Sequence, residues 1–128
     1  MNQTFIEILK NFFPNQFEIK MEKNDKFISF PAKSSDFGNI EIYEESPVEY
    51  IVSLGHFTHS HFDCYDGTEE EQIKMAAEDI SSFLKSVFAD CIICHGSHKG
   101  GGGWHIKGDN ENFETIDDYF VWSGAYKH

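Results

Sequence analysis

The feature that most constrains the fold is one long, well-delimited helix in the second half of the chain. Thr68 and Glu71 form a capping-box pattern, and consecutive glutamates after Thr68 place negative charge where the helix dipole is positive. An apolar stripe then recurs at helical spacing: Ile73, Ala77, Ile80, Leu84 and Val87. This pattern predicts an amphipathic helix from about residue 69 to 89, whose apolar face must be covered by another element.

Short runs with strand character lie on both sides of this helix. Before it stand FEIKME, KFISFPAK, IEIYEE and VEYIVSLG, separated by turn residues. The alternation in FEIKME predicts a half-exposed strand with Phe17, Ile19 and Met21 on one face, whereas the crowded apolar residues of VEYIVSLG predict burial on both faces. After the helix, CIICH, WHIK and DDYFVWSG predict two or three more strands.

A second, shorter helix is predicted at the N-terminus. Thr4 and Glu7 form a capping-box pattern, Phe5 and Leu9 recur at helical spacing, and Pro14 ends the run. Strands in succession with helices between the runs indicate an α+β fold. We therefore expect residues 1–128 to form one α+β domain, with a mostly antiparallel sheet of about six to seven strands under the two helices.

The charge of the chain restricts its possible partners. The chain has 22 acidic residues and only 10 basic ones, all of them lysines, so its formal net charge is −12. Phosphate recognition relies on lysine and especially arginine, so nucleic acid is not expected as a direct partner. A field of this sign attracts basic molecules and also favours solubility.

Cellular location is predicted from three further features. The N-terminal sequence lacks the pattern of a signal peptide, and no run approaches the roughly 20 apolar residues of a membrane span. Three cysteines are an odd number and form no disulfide framework. We expect a cytoplasmic protein without a membrane partner.

The segment FTHSHFDCYD raises the question of a metal site. If the preceding strand continued through it, Phe57, His59, His61 and Asp63 would share one face, and the two histidines could chelate a metal together. A third ligand would have to come from the rest of the cluster or from the later CHGSHKGGGGWH segment; the candidates are Asp63, Cys64, Cys94, His95, His98 and His105. None of these has diagnostic spacing, and histidines at a strand end, His56 included, also hydrogen-bond to backbone or carboxylates. We predict no metal and no cofactor.

Other chemically suggestive residues are also interpreted structurally. Cys91 and Cys94 would point to opposite faces of a strand, so we interpret them as buried structural cysteines. The glycine run at 100–103 lacks the Lys-Ser/Thr ending of a phosphate-binding loop, which favours a flexible or closely packed loop. Nothing places a base or an oxyanion hole beside Cys64, so a nucleophilic cysteine is not predicted. The sequence therefore does not predict an enzyme.

Several segments together resemble a known class of protein. FTHSHFDCYD, the capped helix ending in FADCIICH, then GGGW and YFVWSG resemble small acidic bacterial immunity proteins of polymorphic toxin and contact-dependent growth inhibition systems. The similarity of pattern spans roughly residues 38 to 124. It implies a cytosolic protein that binds and inhibits the toxin domain of its own strain, a partner that we expect to be basic, as many nuclease toxins are. The alternative is a metal-dependent enzyme that uses His59 and His61.

The resemblance carries over no interface residues, so the partner-binding surface is predicted from charge alone. We rank first the acidic segment before the last strand, because it lies near Trp104, a possible aromatic anchor; its members are Asp109, Glu111, Glu114, Asp117 and Asp118. The head of the long helix comes second, since its carboxylates also serve the helix dipole; its members are Asp63, Asp66, Glu69, Glu70 and Glu71. A third group comprises Glu41, Glu44, Glu45 and Glu49.

Overall fold

The computed structural model describes residues 1–98, 101–108 and 119–126. Two helices and nine strands follow one another along the chain: α1 (Gln3–Phe12), β1 (Glu18–Glu22), β2 (Asp25–Phe30), β3 (Ile40–Ser46), β4 (Glu49–Leu54), β5 (Thr58–Asp63), α2 (Glu69–Phe88), β6 (Ile92–His95), β7 (Gly103–Ile106), β8 (Tyr119–Val121) and β9 (Gly124–Ala125). The α+β fold class, the short N-terminal helix and the long helix are confirmed.

The strands form two antiparallel sheets, where we expected one. The first five pair in sequence order, β1-β2-β3-β4-β5, as a meander. The remaining four pair in the order β7-β6-β8-β9. Both edges of β6 are occupied by strands of its own sheet, so β6 has no free edge with which to extend the first sheet.

Helix α2 begins and ends as its sequence predicts. The Thr68 hydroxyl accepts a hydrogen bond from the Glu71 backbone N–H at 3.2 Å, and the Glu71 carboxylate accepts one from the Thr68 backbone N–H at 3.4 Å. The helix ends at Phe88, after which Asp90 takes a positive φ of 61°. Every residue of the predicted apolar stripe is buried.

One main core joins both helices and both sheets. On one face of the first sheet, the Phe5 ring of α1 stacks on Tyr50 with centroids 4.0 Å apart. The Phe83 ring of α2 contacts Phe62 of β5 at 5.3 Å and Trp104 of β7 at 5.0 Å. Because α2 touches both sheets, its burial links them, and burial of apolar surface is the main favourable term in folding.

Two local predictions at the N-terminal end of the chain are wrong. Helix α1 is capped by Asn2, whose side-chain oxygen accepts the backbone N–H groups of Thr4 and Phe5 at 2.9 and 3.2 Å, and not by Thr4. Strand β1 is exposed on both faces. Ile19 does lie on the helix side, opposite Ile28, but the helices cover the sheet only as far as β2, and Ile19 stays 44 % exposed.

The strand before the histidines also differs from its prediction. Burial alternates along β4 and is not continuous, because the helices cover only one of its faces. The chain does not continue straight into FTHSHF: Gly55, with φ of 54°, turns it back into β5. A Cβ on Gly55 would stand 1.8 Å from the Phe37 carbonyl oxygen, so a side chain does not fit there.

Within the three described stretches, neither helix has the length and apolar character needed to cross a membrane.

Candidate functional site: the open face of the five-stranded sheet

One face of the five-stranded sheet carries no helix among the described residues. Directly paired residues in antiparallel strands share a face, so the register separates the two sides. The row Ile28, Ile42 and Val52 is fully buried under the helices. The alternate residues point the other way, and none of them belongs to the main core cluster. We call this second side the open face.

An apolar stripe crosses the middle of the open face. Phe27, Tyr43 and Ile51 stand opposite one another on β2, β3 and β4, with Lys20 and His61 at the two ends. The Phe27 and Tyr43 rings stack with centroids 5.1 Å apart. Phe27 is only 6 % exposed, although it lies outside the main core, whereas Tyr43 and Ile51 are half-buried. Aromatic side chains on an otherwise polar surface are typical anchors of protein interfaces.

Carboxylates surround this stripe on both sides. By register, the open face holds Glu18, Glu22, Asp25, Glu41, Glu49 and Asp63, with Lys20 as the one lysine that the described β1–β5 strands place there. Glu45 lies in a β-bulge after Glu44, and its charge acts on Tyr65 together with those of Glu49 and Asp63, so we assign it to the same face. The carboxylates of this face thus surround its apolar side chains and outnumber its one lysine. Such a surface suits a partner that presents basic residues around an apolar group.

Two tyrosines, Tyr43 on the open face and Tyr65 just after β5, have pKa values that burial and these carboxylates raise. The Tyr43 hydroxyl donates a hydrogen bond to Glu41 at 3.0 Å. Burial, that hydrogen bond, and the charges of Glu41 and Glu22 together raise the pKa of Tyr43 to about 12. Desolvation and the carboxylates of Glu49, Asp63 and Glu45 likewise raise the pKa of Tyr65. Both tyrosines therefore remain neutral hydrogen-bond donors at physiological pH.

A buried hydroxyl lies beside the stripe. Ser29 stands between Glu18 and Glu41 in the register and is 1 % exposed, and its hydroxyl has no hydrogen-bond partner among the described residues. An unsatisfied buried hydroxyl costs about 1–3 kcal/mol. The burial of the Ser29 hydroxyl is therefore not compensated by a hydrogen bond within the described residues.

The structure divides the acidic groups that the sequence suggested. Glu41, Glu45 and Glu49 reach the open face, but Glu44 turns to the helix side, where it accepts the Asn2 backbone N–H at 3.2 Å and pairs with the N-terminal amine at 3.7 Å. From the second group, only Asp63 joins the open face. The open face thus combines members of two groups that are separated along the sequence.

The other members of the second group lie at the head of α2. Glu69, Glu70 and Glu71 occupy its first turn, where Glu71 is engaged in the capping box, and Asp66 is exposed in the preceding turn. The top-ranked group, Asp109, Glu111, Glu114, Asp117 and Asp118, lies outside the described residues. Its role in binding a partner stays a prediction.

The two tryptophans pack inward. Trp122 is buried against Phe37 and Phe88, with ring centroids at 5.5 and 5.1 Å. Trp104 is half-buried beside Phe83, and its indole N–H donates a hydrogen bond to the Ser60 hydroxyl at 3.3 Å. Trp104 contacts the edge of the core, and its predicted contact with a partner stays a prediction.

His59 and His61 lie on β5, an edge strand of the five-stranded sheet. His59 and His61 share the open face with Asp63, as predicted, but Phe57 is buried and does not join them. The His59 ring lies 5.1 Å from that of His61 and 6.1 Å from that of His98. Within the part of the chain that the structure describes, no three histidine, cysteine or carboxylate side chains are placed to hold a metal ion together.

Two other histidines hydrogen-bond to backbone, which was expected for His56 but not for His98. His56 Nε2 lies 3.1 Å from the Ser35 carbonyl oxygen, and His98 Nε2 lies 3.2 Å from that of Gly55. A carbonyl oxygen only accepts, so each Nε2 carries the proton and donates. These contacts tie the segment after β6 and the loop before β3 to the β4–β5 turn.

The cysteine and glycine segments are only partly as predicted. Cys94 is fully buried, but Cys91 is exposed, because it precedes β6 and lies outside the core. The two thiols therefore do not form a redox or metal pair. In the glycine run, a Cβ on Gly102 would stand 1.9 Å from the Phe57 carbonyl oxygen, so this residue belongs to a closely packed backbone contact.

The open face was missed from sequence, although a signal for it exists. The alternation that predicts strands also assigns Glu18, Lys20 and Glu22 to one side of β1, and Glu41, Tyr43 and Glu45 to one side of β3. Combining these sides into one surface requires the pairing register of five strands, which periodicity within a single strand does not supply.

Comparison of the chain with protein-family models, curated proteins and solved structures gave no match.

Proposed function

We propose that this chain is a toxin-neutralising immunity protein, which binds a basic toxin domain in the bacterial cytoplasm through the open face. The observation that supports this proposal is the concentration of carboxylates around Phe27, Tyr43 and Ile51. The chain acts by occupying a surface of the toxin, without catalysis, cofactor or direct contact with nucleic acid. The resemblance to acidic immunity proteins points to the same class of function.

Electrostatics explains why such a face suits this task. A toxin domain that binds nucleic acid presents a basic surface, and a carboxylate-rich sheet offers that surface an alternative ligand. Long-range attraction speeds the encounter, while the apolar stripe supplies contact area that slows dissociation. An inhibitor must capture its toxin before the toxin acts, so a fast encounter is valuable.

The test begins with the gene directly upstream of this one, because the proposal expects it to encode the cognate toxin domain. Co-expression of the chain should restore growth of cells that produce this domain, and the purified proteins should associate more slowly as salt rises. The Glu45→Lys/Asp63→Lys variant should associate at least tenfold more slowly at low salt, because two carboxylates of the open face become lysines. Stopped-flow or surface plasmon resonance measurements give the association rate.

A matched control separates the local effect from total charge. Glu7→Lys/Glu78→Lys alters exposed residues of the two helices; in both variants two reversals of two units each take the net charge from −12 to −8. The control should associate nearly as fast as the unmodified chain. Asp117→Lys/Asp118→Lys tests the acidic segment ranked first from sequence. If only that variant slows association, the open face is not the binding surface, even if immunity itself is observed.

The alternative function, a metal-dependent enzyme, is supported by the proximity of His59 and His61. Their rings are adjacent and exposed, so the pair is accessible to a metal ion. That alternative requires about one equivalent of bound zinc or iron, which a His59→Ala/His61→Ala variant would lose. Elemental analysis of protein purified without a histidine tag distinguishes the two functions.

A further inference from the structure

Strand β1 is an edge strand with an unused side. It pairs with β2 along one edge, and no described strand pairs with the other. All five of its residues are exposed, including two large apolar ones, Ile19 at 44 % and Met21 at 63 %. A free edge with exposed apolar side chains is a template for pairing with another strand.

We infer that β1 pairs antiparallel with β1 of a second copy of this chain, in a register centred on Ile19. A two-fold axis perpendicular to the sheet would place the two Ile19 residues opposite each other and would preserve the faces of both sheets. The result is a continuous ten-stranded sheet, in which the two open faces lie on the same side. The two copies then present their acidic surfaces together.

Charge complementarity favours a second copy as the partner and argues against a register centred on Lys20. With Ile19 opposite Ile19, Glu18 of each copy faces Lys20 of the other, so the pairing contains two Glu–Lys contacts. Neither residue forms an ion pair within the described part of its own chain. A register centred on Lys20 would instead oppose Lys20 to Lys20 and Glu18 to Glu22, and like charges directly opposite each other are destabilising.

The apolar side chains also match in this register. Phe17 precedes β1 and contacts Phe30 with ring centroids 5.2 Å apart, and it would face the exposed Met21 of the second copy. A register centred on Met21 is less favourable, because it draws in Lys23, which has a positive φ of 50° in the turn after β1. The Ile19-centred register therefore combines both kinds of complementarity.

The dimer should be weak, because one strand pair buries less surface than a standard interface. We expect sedimentation velocity to show the mass rising from 14.7 kDa toward twice that value between about 10 μM and about 1 mM protein. A constant mass of one chain up to about 1 mM would overturn the inference and would leave the β1 edge to a strand of another protein.

Charge reversals identify the interface. Lys20→Glu opposes glutamate to glutamate, Glu18→Lys opposes lysine to lysine, and each should weaken dimerisation by about tenfold or more. An equimolar mixture of the two variants should restore the dimer, because each Lys then faces a Glu of the other copy. Both positions are exposed, so circular dichroism should show an unchanged fold.

The Glu18→Lys variant also excludes a trivial explanation. It makes the chain less negative, so long-range repulsion alone would predict stronger self-association, whereas the proposed pairing predicts weaker association. Glu7→Lys, the same change on α1, should dimerise at least as well as the unmodified chain. If Glu18→Lys and Glu7→Lys behave alike, or if the mixture of variants stays monomeric, the proposed register is wrong.

Discussion

At the residue scale, the two cysteines of CIIC show how burial changes the chemistry of identical side chains. Cys94 faces the core between Trp104 and Phe120 in the register, and burial raises the pKa of its thiol to about 12. Cys91, three positions earlier, is exposed. Since the thiolate is the reactive form, the two residues should differ strongly in their reactivity.

We therefore expect iodoacetamide at pH 8 to alkylate Cys91 in the folded protein while Cys94 remains unmodified. At that pH, only about one Cys94 thiol in ten thousand is ionised, and its sulfur is inaccessible. Mass spectrometry of the digested protein measures both sites. In denaturant the two should react alike, which serves as the control. Equal labelling of the folded protein would mean that Cys94 does not lie in the core.

At the element scale, α1 shows how a tertiary contact can choose between possible caps. Both Asn2 and Thr4 have side chains suited to an N-cap. The Asn2 backbone N–H and the N-terminal amine contact Glu44 of β3, and Phe5 stacks on Tyr50. These contacts hold the first turn where Asn2, and not Thr4, caps the helix.

Two substitutions test this assignment. Asn2→Ala should lower the free energy of unfolding by about 1 kcal/mol, because two backbone N–H groups lose their acceptor. Thr4→Ala should change it by less than about 0.5 kcal/mol, because Thr4 is exposed inside the helix. Urea denaturation measures both. If Thr4→Ala destabilised the protein more than Asn2→Ala, the N-cap would be Thr4, as the sequence suggested.

At the scale of the whole molecule, α2 makes the two sheets one folding unit. Phe83 contacts Phe62 of β5 and Trp104 of β7. Phe88 contacts Phe30 of β2 and Trp122 in the turn between β8 and β9. Leu84 lies between Phe83 and Phe88 in the sequence and is fully buried in the main core. If α2 separated from one sheet, it would also lose its packing against the other, so the two sheets should unfold together.

Unfolding should accordingly be a single cooperative transition. Tryptophan fluorescence, which reports on the four-stranded sheet, and far-ultraviolet circular dichroism should give coincident urea curves. Leu84→Ala should lower the free energy of unfolding by about 2–5 kcal/mol and shift both curves together. Met75→Ala, at an exposed position of the same helix, should have a much smaller effect. Separate transitions for the two probes would contradict a shared core.

The sequence alone determined the features that depend on near neighbours. The α2 caps and apolar stripe involve residues three or four apart, and strand alternation involves residues two apart, so helix, strands and α+β class could all be predicted. Net charge is likewise a sum over residues and needs no structure.

Only the tertiary structure decided which surfaces these elements leave uncovered. Ile19 and Ile28 occupy the same side of the sheet, but the helices bury Ile28 and do not reach Ile19. Glu41 and Asp63, separated by 22 positions in the chain, share the open face, while Glu44 turns away from it. The physical reason is that the cover over a side chain comes from segments distant in sequence, whose placement follows from the packing of the whole core.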